Sequence, residues 1–109
     1  MARDDMHVVM YTILKYLYDC LKGGVRPDVS KFSATALGIN DLYWEAIVAD
    51  LVNRGYVRGV TVYHNQDRDS VQMISPSVTI EGVEFMMENS LMRRALDFLT
   101  ETKSAIPFI

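Results

Sequence analysis

The sequence predicts a mainly α-helical fold carrying one small β-hairpin as a wing, with additional helices at its C-terminal end. Three observations predict it. Apolar residues recur at helical spacing in the first 20 or so residues, two glycine-bounded helical segments stand side by side near the middle, and the period then changes from 3.6 to 2. At 109 residues, with 50% apolar and 23% charged side chains, the chain is one domain's worth of protein and can bury a core without disulfide or metal support.

The first helix is expected over residues 5–22. Asp4 and Asp5 suit the positive end of its dipole, and Met6, Val9, Met10, Ile13, Leu14, Leu17 and Leu21 form its apolar stripe. Gly23-Gly24 stops it. The stretch Val25 to Phe32 is turn-rich, and any strand in it, as at Val29 to Phe32, is very short. Ser33 caps a brief helix over 34–37 that Gly38 terminates. Asn40 then caps a helix over 41–54, whose buried stripe is Trp44, Ile47, Val48 and Leu51. Two helices joined by a tight glycine-containing turn make a helix-turn-helix candidate.

Beyond Gly55 the run Tyr56 to Tyr63 is rich in β-branched and aromatic residues, the polar segment His64 to Ser70 turns, and Val71 to Ile74 returns. This reads as a hairpin over 56–75, with Pro76 ending its second strand. Thr79 caps a helix over 80–88 with Val78 and Val83 as a hydrophobic staple, and Ser90 caps a last helix over 91–103. A helix-turn-helix followed directly by a hairpin is the winged-helix layout, and residues 1–109 are expected to form a single such domain.

Several stretches resemble the YjcQ-like winged-helix family of bacteria and their phages. They are Tyr11-Thr12-Ile13-Leu14-Lys15; Leu37-Gly38-Ile39 leading into the helix of Trp44, Val48 and Leu51; and Arg54-Gly55-Tyr56-Val57-Arg58-Gly59-Val60. Val78 to Met86 is similar to the family's Leu-Thr-x-x-Gly-x-x-Tyr-Leu pattern, and Glu101 to Pro107 is similar as well. The resemblance implies a winged helix and suggests DNA binding, as in a small phage or prophage transcriptional regulator. It implies no reaction.

In such a domain the helix over 41–54 would enter the major groove of double-stranded DNA. Its outward positions are read as Asp41, Tyr43, Glu45, Asp50, Asn53 and Arg54. The candidate DNA contacts are Lys31, Asn40, Tyr43 and Arg54 on and around the helix, with Arg58, His64, Asn65, Gln66 and Arg68 on the wing. Charge argues the other way. The formal net charge is −3, and three carboxylates on one exposed helix face suit phosphate poorly. A solvated helix face and an ordinary polar turn account for the same residues. The aromatic residues and the seven methionines fall mostly on or beside core stripes.

Leu91, Phe98, Ile106, Phe108 and Ile109 make the C-terminal end more apolar than one exposed helix needs. A homodimer would cover them, and so would a tail folded back on the monomer. A protein-interaction module using the acidic helix or this apolar end is therefore the alternative to a DNA-binder. No nucleophile elbow, phosphate loop or metal-ligand spacing is present, so neither an enzyme nor a metal or other cofactor is expected. The lone Cys20 reads as a core thiol, and no apolar run approaches the roughly 20 residues of a membrane span. A cytoplasmic protein with no membrane partner is the expectation.

Overall fold

Among the described residues, five α-helices and one antiparallel hairpin follow one another in the order α1 (Met6–Gly23), α2 (Ala34–Leu37), α3 (Asp41–Asn53), β1 (Val57–His64), β2 (Asp69–Val78), α4 (Ile80–Glu88) and α5 (Ser90–Thr102). The structure is a computed structural model and describes residues 1–102. This is a helical domain with a β-hairpin wing, as the periodicity requires. The last helix is described to Thr102, and the expected position at Lys103, with Ile106, Phe108 and Ile109, lies outside the described residues.

α1 is the centre of the molecule. Every residue from Val8 to Leu14 is buried, because α3, α4, α5 and β2 all pack against it. A helix wrapped on several sides is apolar on several sides. The stripe read from spacing is therefore narrower than the surface α1 buries, and its two ends, Met6 and Leu21, stand exposed. Thr12, the one buried polar residue among those described, donates its hydroxyl to the carbonyl of Val8 at 2.8 Å. That bond offsets the cost of placing a hydroxyl in the core. Cys20 is buried beside this core, as expected.

The segment before α2 is not a strand. Val29–Lys31 forms a 3₁₀ turn, because the Asp28 carboxylate accepts from the Ser30 backbone N–H at 3.0 Å and starts a helical turn in place of extended chain. Phe32 then drops into the core at 1% exposure, its ring 5.5 Å from that of Tyr16. The Tyr16 hydroxyl accepts from the Asp28 N–H at 2.8 Å, so this loop is tied to α1 at both ends.

The caps at Ser33, Asn40 and Thr79 form as read, each accepting from the backbone N–H three residues on. α3 closes at Asn53 with Arg54 as its C-terminal cap. The cap of α5 is a correction. Asn89 accepts from Leu91 and Met92 at 2.9 and 3.2 Å, and Ser90 is already the first helical residue. A carboxamide and a hydroxyl one position apart compete for the same role, and here the carboxamide takes it.

Pro76 does not end β2 either. The pairing steps from Arg58↔Ser77 to Val60↔Met73, so Gly59 alone faces Ile74, Ser75 and Pro76. Inside this bulge Pro76 owes the ladder no N–H, and the strand continues to Val78. Gly59 sits at φ 78°, and a Cβ there would lie 1.9 Å from the Ser75 carbonyl oxygen. The bulge closes only over glycine.

Candidate functional site

α3 and the wing are set side by side, and the wing decides which face of α3 is free. Glu45, Ala49 and Val52 share one side of the helix at i, i+4 and i+7. Both strands pack against α3, and the Glu45 carboxylate is ion-paired with Arg68 from the wing loop. Ala49 is wholly buried and the Glu45 side chain only 14% exposed. Glu45 therefore lies beneath the wing, and the expectation that it faces outward is corrected. Trp44 also departs from its expected place at the centre of the buried stripe. It is half-buried, and its indole N–H donates to the Phe32 carbonyl at 2.8 Å.

The free face of α3 is Leu42, Ala46, Asp50 and Asn53, all exposed and recurring at i, i+4, i+8 and i+11. Leu42 is 54% exposed. The apolar end of this stripe escaped the sequence reading, although a signal was there: Leu42 lies about 180° around the helix from the stripe of Trp44, Ile47, Val48 and Leu51.

Most of the residues proposed to touch DNA have other work in the fold. The Asn40 carboxamide oxygen accepts from the Tyr43 N–H at 2.8 Å as the helix cap. The Tyr43 hydroxyl donates to the Asp4 carbonyl at 2.8 Å, pinning the N-terminal arm to α3. Burial first, then the carboxylates of Asp4 and Asp5, push the Tyr43 hydroxyl above its ordinary pKa of 10.0. On the wing, His64 Nδ1 meets Asp69 at 2.8 Å and the Asn65 amide donates to Ser70 at 3.0 Å. The Asn65 N–H also donates to the Arg68 carbonyl at 3.2 Å, closing the loop.

Lys31, Arg54, Arg58 and Gln66 are exposed, and their side chains make no hydrogen bond or ion pair among the described residues. They are not gathered into one patch. Arg54 is nine helical positions from Glu45, roughly 14 Å along the axis from the Arg68 contact. Arg58 sits at the root of the hairpin and Gln66 at its tip. From Asn40 to Val78 the chain carries five carboxylates against three arginines, a net of −2. Next to Lys31, the Asp28 carboxyl is held below its ordinary pKa of 3.8, chiefly by hydrogen bonds from the Ser30 hydroxyl and N–H.

Of the residues proposed for a dimer, Leu91 and Phe98 are half-buried, Phe98 against the core and Leu91 beside Met10, Ile47 and Phe85. The outward apolar residue of α5 is Leu96. Among the described residues no three His, Cys, Asp or Glu side chains converge as a metal-holding group, and no helix is long and apolar enough to cross a membrane.

A search of curated proteins finds no match. Among solved structures, the chain is similar to the solution NMR structure of the YjcQ protein from Bacillus subtilis. The two are 25% identical, the match covers 74% of this chain and 91% of that one, and the TM-score is 0.45. The family described as YjcQ protein matches residues 11–105. The chain belongs to the YjcQ family.

Proposed function

We propose that this chain is a non-catalytic winged-helix module of the cytoplasm that docks onto a protein partner through the free face of α3. One observation carries the reading: Leu42, Ala46, Asp50 and Asn53 form a continuous exposed stripe with an apolar end, one carboxylate and no cation. Such a stripe complements a protein surface that offers an apolar depression beside a basic side chain. Duplex DNA asks for the reverse. A protein that makes six to ten phosphate contacts draws on about that many Lys and Arg side chains. Here the helix and wing hold three, one of them already paired with Glu45.

The experiment is a fluorescence-anisotropy titration of mixed-sequence duplex DNA at low salt. Absence of binding at about 100 µM, the weak end of ordinary non-specific affinity, supports the protein reading. Saturable, salt-sensitive binding overturns it. Sedimentation at micromolar concentration identifies or removes a second copy of the chain as the partner. A photo-cross-linking side chain at Ala46 should report the contact, and Leu42→Lys should abolish the adduct.

A second reading is the DNA-binding regulator, and the arrangement of elements favours it. The helix-turn-helix leads straight into a wing held alongside α3, with Lys31, Arg54 and Arg58 uncommitted. In this reading α3 lies in or near the major groove, and Arg58, His64 and Arg68 meet phosphates. Arg68 must then leave Glu45.

A further inference from the structure

On the side of the molecule formed by α1, α4 and α5, away from the α3 stripe, there is a groove of about 340 Å³. Met86, Met87, Leu96 and the ring of Tyr18 supply its apolar lining, and Tyr11, Lys15 and Arg93 its donors. The volume is at the lower end of the range for small-molecule sites, and an apolar lining with a few convergent polar groups is their usual composition.

Tyr11 makes the groove more than a surface dent. The residue is 5% exposed, yet its hydroxyl makes no hydrogen bond to the protein. Nor is that hydroxyl sealed in, since among the described residues no fully enclosed side-chain oxygen or nitrogen lacks a partner. The small opening left to it is the groove that Tyr11 lines. A donor enclosed on its other sides bonds whatever occupies the groove, which is water until a ligand group takes its place. Lys15 and Asp19 are its charged neighbours on α1. Lys15 bonds Asp19 at 2.8 Å, its side chain 29% exposed, with donor capacity left over because an ammonium has three N–H bonds. Arg93 is exposed on α5 without an ion partner, and Asp97 closes the same rim.

The geometry points to a binding site for a small, flat, apolar molecule that carries one carboxylate. The carboxylate accepts from the Tyr11 hydroxyl, with Lys15 and Arg93 supplying positive charge, and the apolar body lies over Met86, Met87 and the Tyr18 ring. Flatness follows from the lining, because thioethers and an aromatic ring contact an aromatic face favourably. A single negative charge follows from the balance at the site. Asp19 is already bonded to Lys15 and Asp97 stands at the rim, so a second anionic group would be repelled. The site is independent of what α3 binds.

The methionines provide the test. In full-length protein with ¹³C-labelled methionine methyls, Met86 and Met87 report the groove, while Met6 and Met10 line a different cavity and serve as controls. Titration with 2-naphthoate should shift Met86 and Met87 saturably and leave Met6 and Met10 in place. The uncharged 2-naphthamide should bind about tenfold more weakly. Tyr11→Phe keeps the ring and the packing, and should weaken naphthoate by about tenfold or more, tenfold being the low end of the range for a lost bond to a charged acceptor. Arg93→Gln, at an exposed position, should weaken it by a few-fold. Equal affinity for acid and amide, shifts centred on Met6 and Met10, or unchanged binding by the folded Tyr11→Phe protein overturns the proposal.

Discussion

Gly82 gives the Thr-x-x-Gly spacing after the wing its physical reason. The Thr79 N–H donates to the Tyr56 carbonyl at 3.0 Å, and its hydroxyl donates to Gly55 and accepts from the Gly82 N–H. The first turn of α4 is thereby pressed so closely onto residues 55 and 56 that a Cβ on Gly82 would lie 2.3 Å from the Tyr56 carbonyl oxygen. Alanine ordinarily improves a helix by up to about 1 kcal/mol over glycine, but forcing a methyl against fixed backbone costs about 1–3 kcal/mol. The close approach wins. Gly82→Ala is expected to lower the urea midpoint, a loss of about 1–2 kcal/mol at unchanged m-value. At Asp28 the expectation concerns pH. Its depressed folded pKa contributes stability above its unfolded value, and that contribution is lost as pH falls through the folded value, below about 3.8. An NMR titration should place the Asp28 midpoint under 3.8, and Ser30→Ala should move it upward.

The caps show how far an element can be read from its residues. Ser33 and Thr79 were legible because each is the lone good cap before a helical run, and Asn40 because the acid that follows it, Asp41, suits the first turn of the helix equally well. Asn89 and Ser90 are adjacent cap formers, and only the packing of α5 against α1 selects between them. Asn89→Ala should cost about 1 kcal/mol and Ser90→Ala less than about 0.5, read from paired denaturation curves. Equal losses would mean that the hydroxyl shares the cap. The bulge at Gly59 was hidden for a related reason. Proline reads as the end of a strand unless the partner strand is known to carry a glycine at the matching rung.

At the scale of the whole molecule, the helices and the hairpin were legible while the candidate site was not. Period and turn residues mark where elements begin and end, but not which side of α3 the wing will cover. That is a tertiary choice. It buries Ala49, half-buries Glu45 and leaves Leu42 in solvent, and so it reverses the outward reading of Glu45 and ties up Arg68, one of the candidate contacts. The Glu45–Arg68 pair tests the two functional readings against each other. Glu45→Gln frees Arg68 at a stability cost of about 1 kcal/mol or less, because the arginine is 43% exposed. A DNA-binder should then gain affinity at low salt and a steeper salt dependence, by about one phosphate contact. A protein-docking module should show neither in the same titration.

The root of the wing is fastened by Thr79 to residues 55 and 56 and locked by the bulge at Gly59, whereas Gln66 at its tip holds nothing. The hydrogen bonds that fasten the hairpin to the helices on either side are thus gathered at its root, and Gln66 at the other end carries none of them. Two glycines inserted between Gln66 and Asp67 should leave the melting temperature within a few degrees, since extending an existing loop costs only fractions of a kcal/mol. That tip can therefore be lengthened, shortened or recharged while the rest of the chain stays under its old constraints, which makes it the place where the surface can change without the fold changing.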